Sequence, residues 1–261
     1  MTNLLFITLE TSNPNVEQAE LQQVSLMLAE IKEDTDTNKK YIEVLKDVSF
    51  FIEGYTKDSI FDAYKDTPKA EPFNYQLEAA YDSVTKSFPL DKAKEIIQKT
   101  LSYCDYVVGH VSTDFHIPLL QRLGVDFTGK KIIDTSKHIN YKSFCTSKKL
   151  LHICAEHNLD LFSSEQPFPR TVSINYALKN LLNLYEDQLN SILESSEIAS
   201  DPSVKKIYLV AKISFSQKEE AKKEGFRYNP SLKHWYQEVT QERYDELLSI
   251  MGEKHLEIFN K

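Results

Sequence analysis

Four stretches of this chain carry side chains that could do chemistry. In residues 4–12, the apolar run Leu4, Leu5, Phe6, Ile7 passes without a break into Thr8, Leu9, Glu10, Thr11 and Ser12. A buried strand that hands over to a polar segment ends in a site, and Glu10 is its carboxylate. Residues 109–124, GHVSTDFHIPLLQRLG, offer His110, Asp114 and His116 around a strand-to-helix junction. Residues 170–177, RTVSINYA, bring Arg170 and Asn175 to the start of a helical run. Further on, Lys222, Lys223, Arg227 and Lys233 interleave with Tyr228 and Trp235, the mixture of cations and rings that single-strand stacking surfaces use. Arg170 and His116 suit phosphate. Hydrolysis by two metals asks for something else: several carboxylates around ions about 4 Å apart.

The elements that must position these groups follow from periodicity. Residues 16–32 alternate apolar and polar and suit a second strand, with 17–23 open to a helical start; 34–40 read as a hairpin turn, and 41–46 with 48–52 as a third strand. Residues 58–73 carry charges, two prolines and no period, and read as a loop. Helical spacing returns over 90–101 (Ala93, Ile97, Leu101), and Tyr106 to Val108 form a short buried strand stopped by Gly109. A strand is expected over 130–135, a helix over 146–159, a loop over 162–170, and then one long helix. Its stripe, Leu178, Leu181, Leu182, Tyr185, Leu189 and Ile192, is amphipathic throughout.

These features resemble the DnaQ-like (DEDDh) 3'-5' exonucleases, whose opening strand reads roughly FxDxETTG. Glu10 stands at the Glu, Thr8 at the Asp, and Ser12 and Asn13 replace the closing Gly. The family's second motif, near GHNxxFDIPFL, aligns on Ile117, Pro118 and Leu120, with Phe115 on its Phe and His116 on its metal-binding Asp. One extra residue lies between His110 and Phe115, and Val111 replaces the usual Asn. Residues 133–135 give the family's IDT ending. In the third motif, HxAxxDA, Arg170 falls on the general-base His and Asn175 on the last Asp. The resemblance covers residues 3–195. It implies an α/β RNase H-like mixed sheet flanked by helices, in which Glu10 is the one carboxylate kept of four ligand positions. An arginine stays protonated and cannot act as the base. A shifted register would let Asp114, Asp134 or Asp160 swing in, although two residues along a helix turn a side chain by about 200°.

Residues 195–203, small, polar and acidic with Pro202, read as a linker, so the expected division is 1–195, a linker 196–203, and a small α+β module 204–261. In the module a strand over 207–213 precedes Ser216, an N-cap with Glu219 three residues on, and Gly225 suits the helix end. A hairpin joins 226–228 to 234–236, and a last helix starts at Thr240. The pattern resembles a module, near KxxAKxxGxRWxxxxKxWY, appended to some bacterial exonuclease-like and helicase-associated proteins. Lys218, Ala221, Lys222, Gly225, Phe226, Arg227, Lys233, Trp235 and Tyr236 match it. Lys222, Arg227, Lys233 and Trp235 are its candidate nucleic-acid contacts. The bland alternative makes Trp235 and Phe226 the core of a domain with little else to bury.

Composition narrows the classes. The net charge of −8 argues against wholesale polyanion binding, but residues 204–261 hold 11 Lys and Arg against 9 Asp and Glu, leaving 20 against 30 before them. No apolar run would span a bilayer. His152, Cys154 and His157 lack zinc spacing, and Cys104, Cys145 and Cys154 form no CxxC pair, which fits thiols used as small hydrophobes in a reduced cytoplasm. The expected function is a catalytically inactive, exonuclease-like protein that binds single-stranded nucleic acid or a 3' end, DNA or RNA, or scaffolds a complex of nucleic-acid metabolism. It needs no cofactor. The alternatives are an active 3'-5' exonuclease using Mg2+ or Mn2+ through relocated ligands, and a pure protein adaptor.

Overall fold

The computed structural model describes residues 2–13, 15–55, 86–143, 145, 147–159, 170–199, 207–213, 217–229, 233–239 and 241–258, the side chains of Arg170, Glu197, Glu238 and Glu242 excepted. The expected loops at 58–73 and 162–169, Asp160 and the Ser216 cap lie outside those residues. The chain divides into two compact units, Met1–Ala199 and Ser200–Lys261.

The first unit is built on β1 (Thr2–Thr11), β2 (Leu21–Glu33) and β3 (Lys40–Ile52), joined as an antiparallel meander. Short β4 (Ser87–Phe88) pairs with the end of β3 and leads into α1 (Leu90–Leu101). Next, β5 (Tyr106–Gly109) lies parallel to β1, and β6 (Lys131–Asp134) parallel to β5. The sheet order is β4-β3-β2-β1-β5-β6 and then β7 (Glu197–Ile198), a mixed sheet with helices on both faces, as expected. β7 corrects the reading of 196–203 as pure linker: Ile198 pairs with Lys131, and the Ala199 N–H donates to the Lys130 carbonyl at 2.7 Å. Nor does 17–23 start helically: 16–18 form a turn and β2 begins at Leu21.

The unbroken apolar run of β1 is explained by cover on both faces, since successive side chains point to opposite sides. Leu5, Ile7 and Leu9 pack with Ala93, Ile97 and Leu101 of α1 and with Leu119 and Leu120 of α2 (Ile117–Arg122). Leu4 and Phe6 pack with Ile153 of α4 (Leu150–Glu156), which follows the short α3 (Thr135–His138), and with Leu178, Leu181 and Leu182 of α5 (Arg170–Leu184). The expected single helix carrying this stripe is interrupted. α5 ends at Leu184, a 3₁₀ turn covers Glu186–Gln188, and α6 (Leu189–Ser195) continues. Tertiary bonds account for the break: the Tyr185 hydroxyl accepts from the Lys142 N–H (3.2 Å) and bonds His157 Nε2 (2.8 Å), while the Gln188 amide pairs with both backbone groups of Asn140. Every stripe residue stays buried. No helix of the described residues is long and apolar enough to cross a membrane.

The second unit is a four-stranded sheet of β8 (Ile207–Ala211), β9 (Arg227–Asn229), β10 (His234–Val239) and β11 (Leu256–Ile258), in the order β11-β8-β10-β9. α7 (Lys218–Lys223) and α8 (Gln241–Met251) contribute Ala221, Leu247, Tyr244 and Leu248 to its core. Gly225, at φ 89, ends α7 with the paired bonds of a Schellman motif: its N–H reaches the Lys222 carbonyl and that of Phe226 reaches Ala221. Sequence periodicity missed β11, three residues long and paired with distant β8.

Candidate functional site

The carboxyl ends of the parallel strands β1, β5 and β6 point the same way, and the start of α5 meets them there. One face of β1 carries Leu4, Phe6, Thr8 and Glu10, so it turns from apolar to polar along its length; opposite, β2 carries Ala29, Met27, Ser25 and Gln23 in the same order. α5 matches this gradient with Leu182, Leu178, Asn175 and Thr171 at helical spacing. A strand–helix seam thus ends in a buried polar cluster.

Two of the aligned ligand positions touch each other. The Thr8 hydroxyl donates to Asn175 Oδ1 at 2.8 Å, and Asn175 Nδ2 donates to the carbonyl and the hydroxyl of Ser25, both at 3.2 Å. Asn175 is fully buried, and Thr8 and Ser25 nearly so. The cluster is therefore a neutral network whose members satisfy one another without an ion. Glu10 lies one strand pair beyond, opposite Gln23, whose amide donates to Ser49. Arg170 opens α5, at the same end.

The second motif is distorted by its extra residue. Val111 takes a left-handed backbone (φ 56), and Ser112–His116 form a π-helical turn closed by the Ile117 N–H on the Ser112 carbonyl. A single-residue insertion in a helix is absorbed as such a turn. Asn, usual at this position in the family, adopts the left-handed region easily and Val does not. Asp134 holds the turn together. Its carboxylate accepts from the N–H groups of Val111, Thr113 and Ser136 and from the hydroxyls of Thr113 and Ser136, at 2.6 to 3.1 Å. Burial pushes its pKa up, but the Ser136 and Thr113 bonds outweigh this and hold it below the usual range. Asp134 is thus a structural clasp, which corrects its reading as a substitute ligand.

Of the two states open to His116, its surroundings favour the neutral one. Burial pushes its pKa down to about 4, and its Nδ1 is buried without a protein partner, so it stands as a neutral imidazole beside Asp134 and His110. His110 bridges the Thr135 hydroxyl and the Lys148 carbonyl, both at 2.9 Å, and burial lowers its pKa too. Asp114 is ion-paired with Lys137 at 2.9 Å, and Lys137 also donates to Thr113. A cation already held there opposes a second one. Among the described residues no group of three or more His, Cys, Asp or Glu is placed to hold a metal ion. The donors at the four aligned positions, the single carboxylate of Glu10, two neutral oxygens already hydrogen-bonded to each other and one imidazole, do not fit a pair of hard divalent cations.

In the second unit, the expected nucleic-acid residues do not form one surface. Trp235 is only 8% exposed and packs with Phe226, Leu209 and Leu247, so it belongs to the core and not to a stacking platform. Lys222 lies on α7, on the helix-covered side, bonded to Glu219 at 2.9 Å. Lys233 is exposed before β10, with φ 55, and Arg227 is exposed on β9, on the opposite face of the sheet from Trp235. Sequence reasoning missed Tyr208 and Tyr236, whose rings stack there at 5.2 Å and 9°. Their alternation with Leu209 and Trp235 was the available signal.

No family model and no curated protein matches the chain. Among solved structures it is similar to the zinc-bound form of an E. coli ExoI–ssDNA complex, at 11% identity and a TM-score of 0.49 over 81% of this chain and 48% of that one. It is also similar to an exonuclease I structure discussed for its processivity (12%, 0.48, 84% and 50%) and to an ExoI/SSB-Ct complex (11%, 0.47, 83% and 49%). The chain spans about half the length of these proteins. At such identities and scores none of them transfers a functional residue.

Proposed function

We propose that the protein is a catalytically inactive, exonuclease-like protein that binds single-stranded nucleic acid or a 3' end, or scaffolds the proteins that process one. The observation that carries this reading is the Thr8–Asn175–Ser25 network. It fills with a neutral hydrogen-bonded cluster the two positions that, in the family it resembles, hold carboxylates for metal. With Arg170 at the base position, neither the ions nor a proton acceptor is provided, and loss of a base alone costs about 10²- to 10⁴-fold in rate. Relocation of the metal site to Asp114 or Asp134 is opposed by the Lys137 ion pair and by the five bonds on Asp134.

The test is a labelled single strand incubated with Mg2+ or Mn2+ and, separately, titrated with protein in EDTA. The expected outcome is an intact strand that still binds without metal. Cleavage that disappears in Glu10→Ala would make the protein an enzyme and end this reading.

A further inference from the structure

The geometry points to a base-stacking platform for single-stranded nucleic acid on the face of the second sheet that lies opposite its helices. This deepens the proposed nucleic-acid role and rests on it. Pleating divides the sheet cleanly. On one side Leu209, Ala211, Trp235, Val239 and Leu256 meet Ala221, Leu247, Tyr244 and Leu248 within the core cluster of the unit. The other side carries Tyr208, His234, Tyr236 and Arg227, none of them a member of that core, together with buried Val210 and with Glu257, which is ion-paired with Lys212. Tyr208 and Tyr236 are half-buried and parallel (9°, 5.2 Å), and His234 meets both edge-on at 79° and 81°. The Tyr208 hydroxyl approaches His234 Nε2 at 3.4 Å.

Ring clusters that stabilise a fold are buried under a second layer. Here the layer supplied by α7 and α8 is on the other face. A pair of parallel rings presents a flat π-face at each end of the stack, which a base continues, and every base has such a face. Arg227, exposed and directly opposite Tyr236 on β9, supplies the charge for the phosphate linking stacked bases. The segment 204–261 is itself net positive, 11 cations against 9 anions, in a chain of net charge −8. A partner helix would ask for an aliphatic groove; rings with polar tips flanked by an arginine match a strand of nucleotides instead.

The experiment uses the full chain and 5'-fluorescein oligothymidylate or oligouridylate, read by anisotropy at low salt in EDTA. Tyr208→Ala/Tyr236→Ala is expected to weaken binding by at least about tenfold, and Tyr208→Phe/Tyr236→Phe to restore it, because the ring and not the hydroxyl stacks. Trp235, the chain's one tryptophan, sits in the core on the opposite face, so its unchanged emission reports that the module of each variant is folded. Arg227→Gln, an exposed change, is expected to weaken binding several-fold and to flatten its salt dependence. Parent-like affinity in the folded double-alanine variant overturns the platform and leaves the proposed function standing, with the strand held elsewhere. Absence of binding by the parent protein overturns both.

Discussion

The two sheets differ in how they are covered, and the difference tells where each could meet a ligand. The first is sandwiched: Leu4 and Phe6 face α5 while Leu5 and Ile7 face α1, so its strands read as unbroken apolar runs and its chemistry is confined to the strand ends. Among the described residues the second sheet has helices on one face, its strands alternate, and Tyr208, His234 and Tyr236 lie together on the other. A site at strand ends suits a terminus; an open face suits the run of a strand.

The largest expected effect tests the neutrality of the buried cluster. Asn175→Asp puts a charge into a fully buried position and turns the donation to the Ser25 carbonyl into a contact between acceptors, although the Ser25 hydroxyl can still donate. With no ion to compensate, it should cost about 3–5 kcal/mol, seen as a lower urea midpoint in EDTA. A variant as stable as the parent would mean that the site tolerates a carboxylate and that its neutrality is incidental. On the second sheet, Trp235→Ala should cost about 3–5 kcal/mol as a large core truncation. Tyr228→Ala, at a ring 45% exposed and tilted against Trp235, should stay within about 1 kcal/mol. Equal losses would mean that the exposed ring, paired with Trp235 on the same face, carries as much of the core as the buried one.

A smaller effect separates a neutral His116 from a phosphate-binding cation. Its pKa is about 4 folded and close to 6.5 in an unfolded chain. The unfolded chain therefore binds the proton first as pH falls. The stabilising contribution is complete above about pH 6.5 and is lost progressively toward pH 4, by up to about 3 kcal/mol. The facing groups are Asp134, whose charge opposes the shift, and His110, which adds to it. Urea unfolding at pH 7 and pH 4.5 should show a steeper loss in the parent than in His116→Gln, the common carboxylate titration cancelling between them. Parallel slopes would return His116 to the list of cations.

Much of this architecture is legible in the chain, because period and burial agree over long segments. The run 4–7, the helix 90–101 and the stripe from Leu178 to Ile192 all follow from where apolar side chains fall. What periodicity cannot carry is pairing between distant short segments, hence the missed β7 and β11, and tertiary bonds that break a helix, as at Tyr185. In the site, the residue types at 8, 116 and 175 indicated lost ligands. That Thr8 and Asn175 satisfy each other required their separation of 2.8 Å across the seam, and the role of Asp134 required seeing five donors converge. Trp235 was ambiguous because a small domain's core and a stacking surface draw on the same residue types.

The smallest expected effect bears on why the second motif departs from its pattern. A residue inserted before Phe115 has to be stored somewhere, and it is stored as the π turn with Val111 left-handed at its start. A β-branched residue at φ 56 bears a strain of about 1–2 kcal/mol. The Asp134 clasp, through its bond to the Val111 N–H at 2.9 Å, sustains that strain. Val111 is 41% exposed, so its side chain packs little and nothing else offsets a change. Val111→Asn should accordingly stabilise the protein by about 1 kcal/mol, a rise of roughly 2–4 °C in Tm for a unit of this size. Val111→Gly should gain less, since glycine also loosens the unfolded chain. If Asn instead destabilises, the left-handed turn is not strained, and the inserted residue is carried by a contact of the valine side chain that the backbone geometry does not reveal.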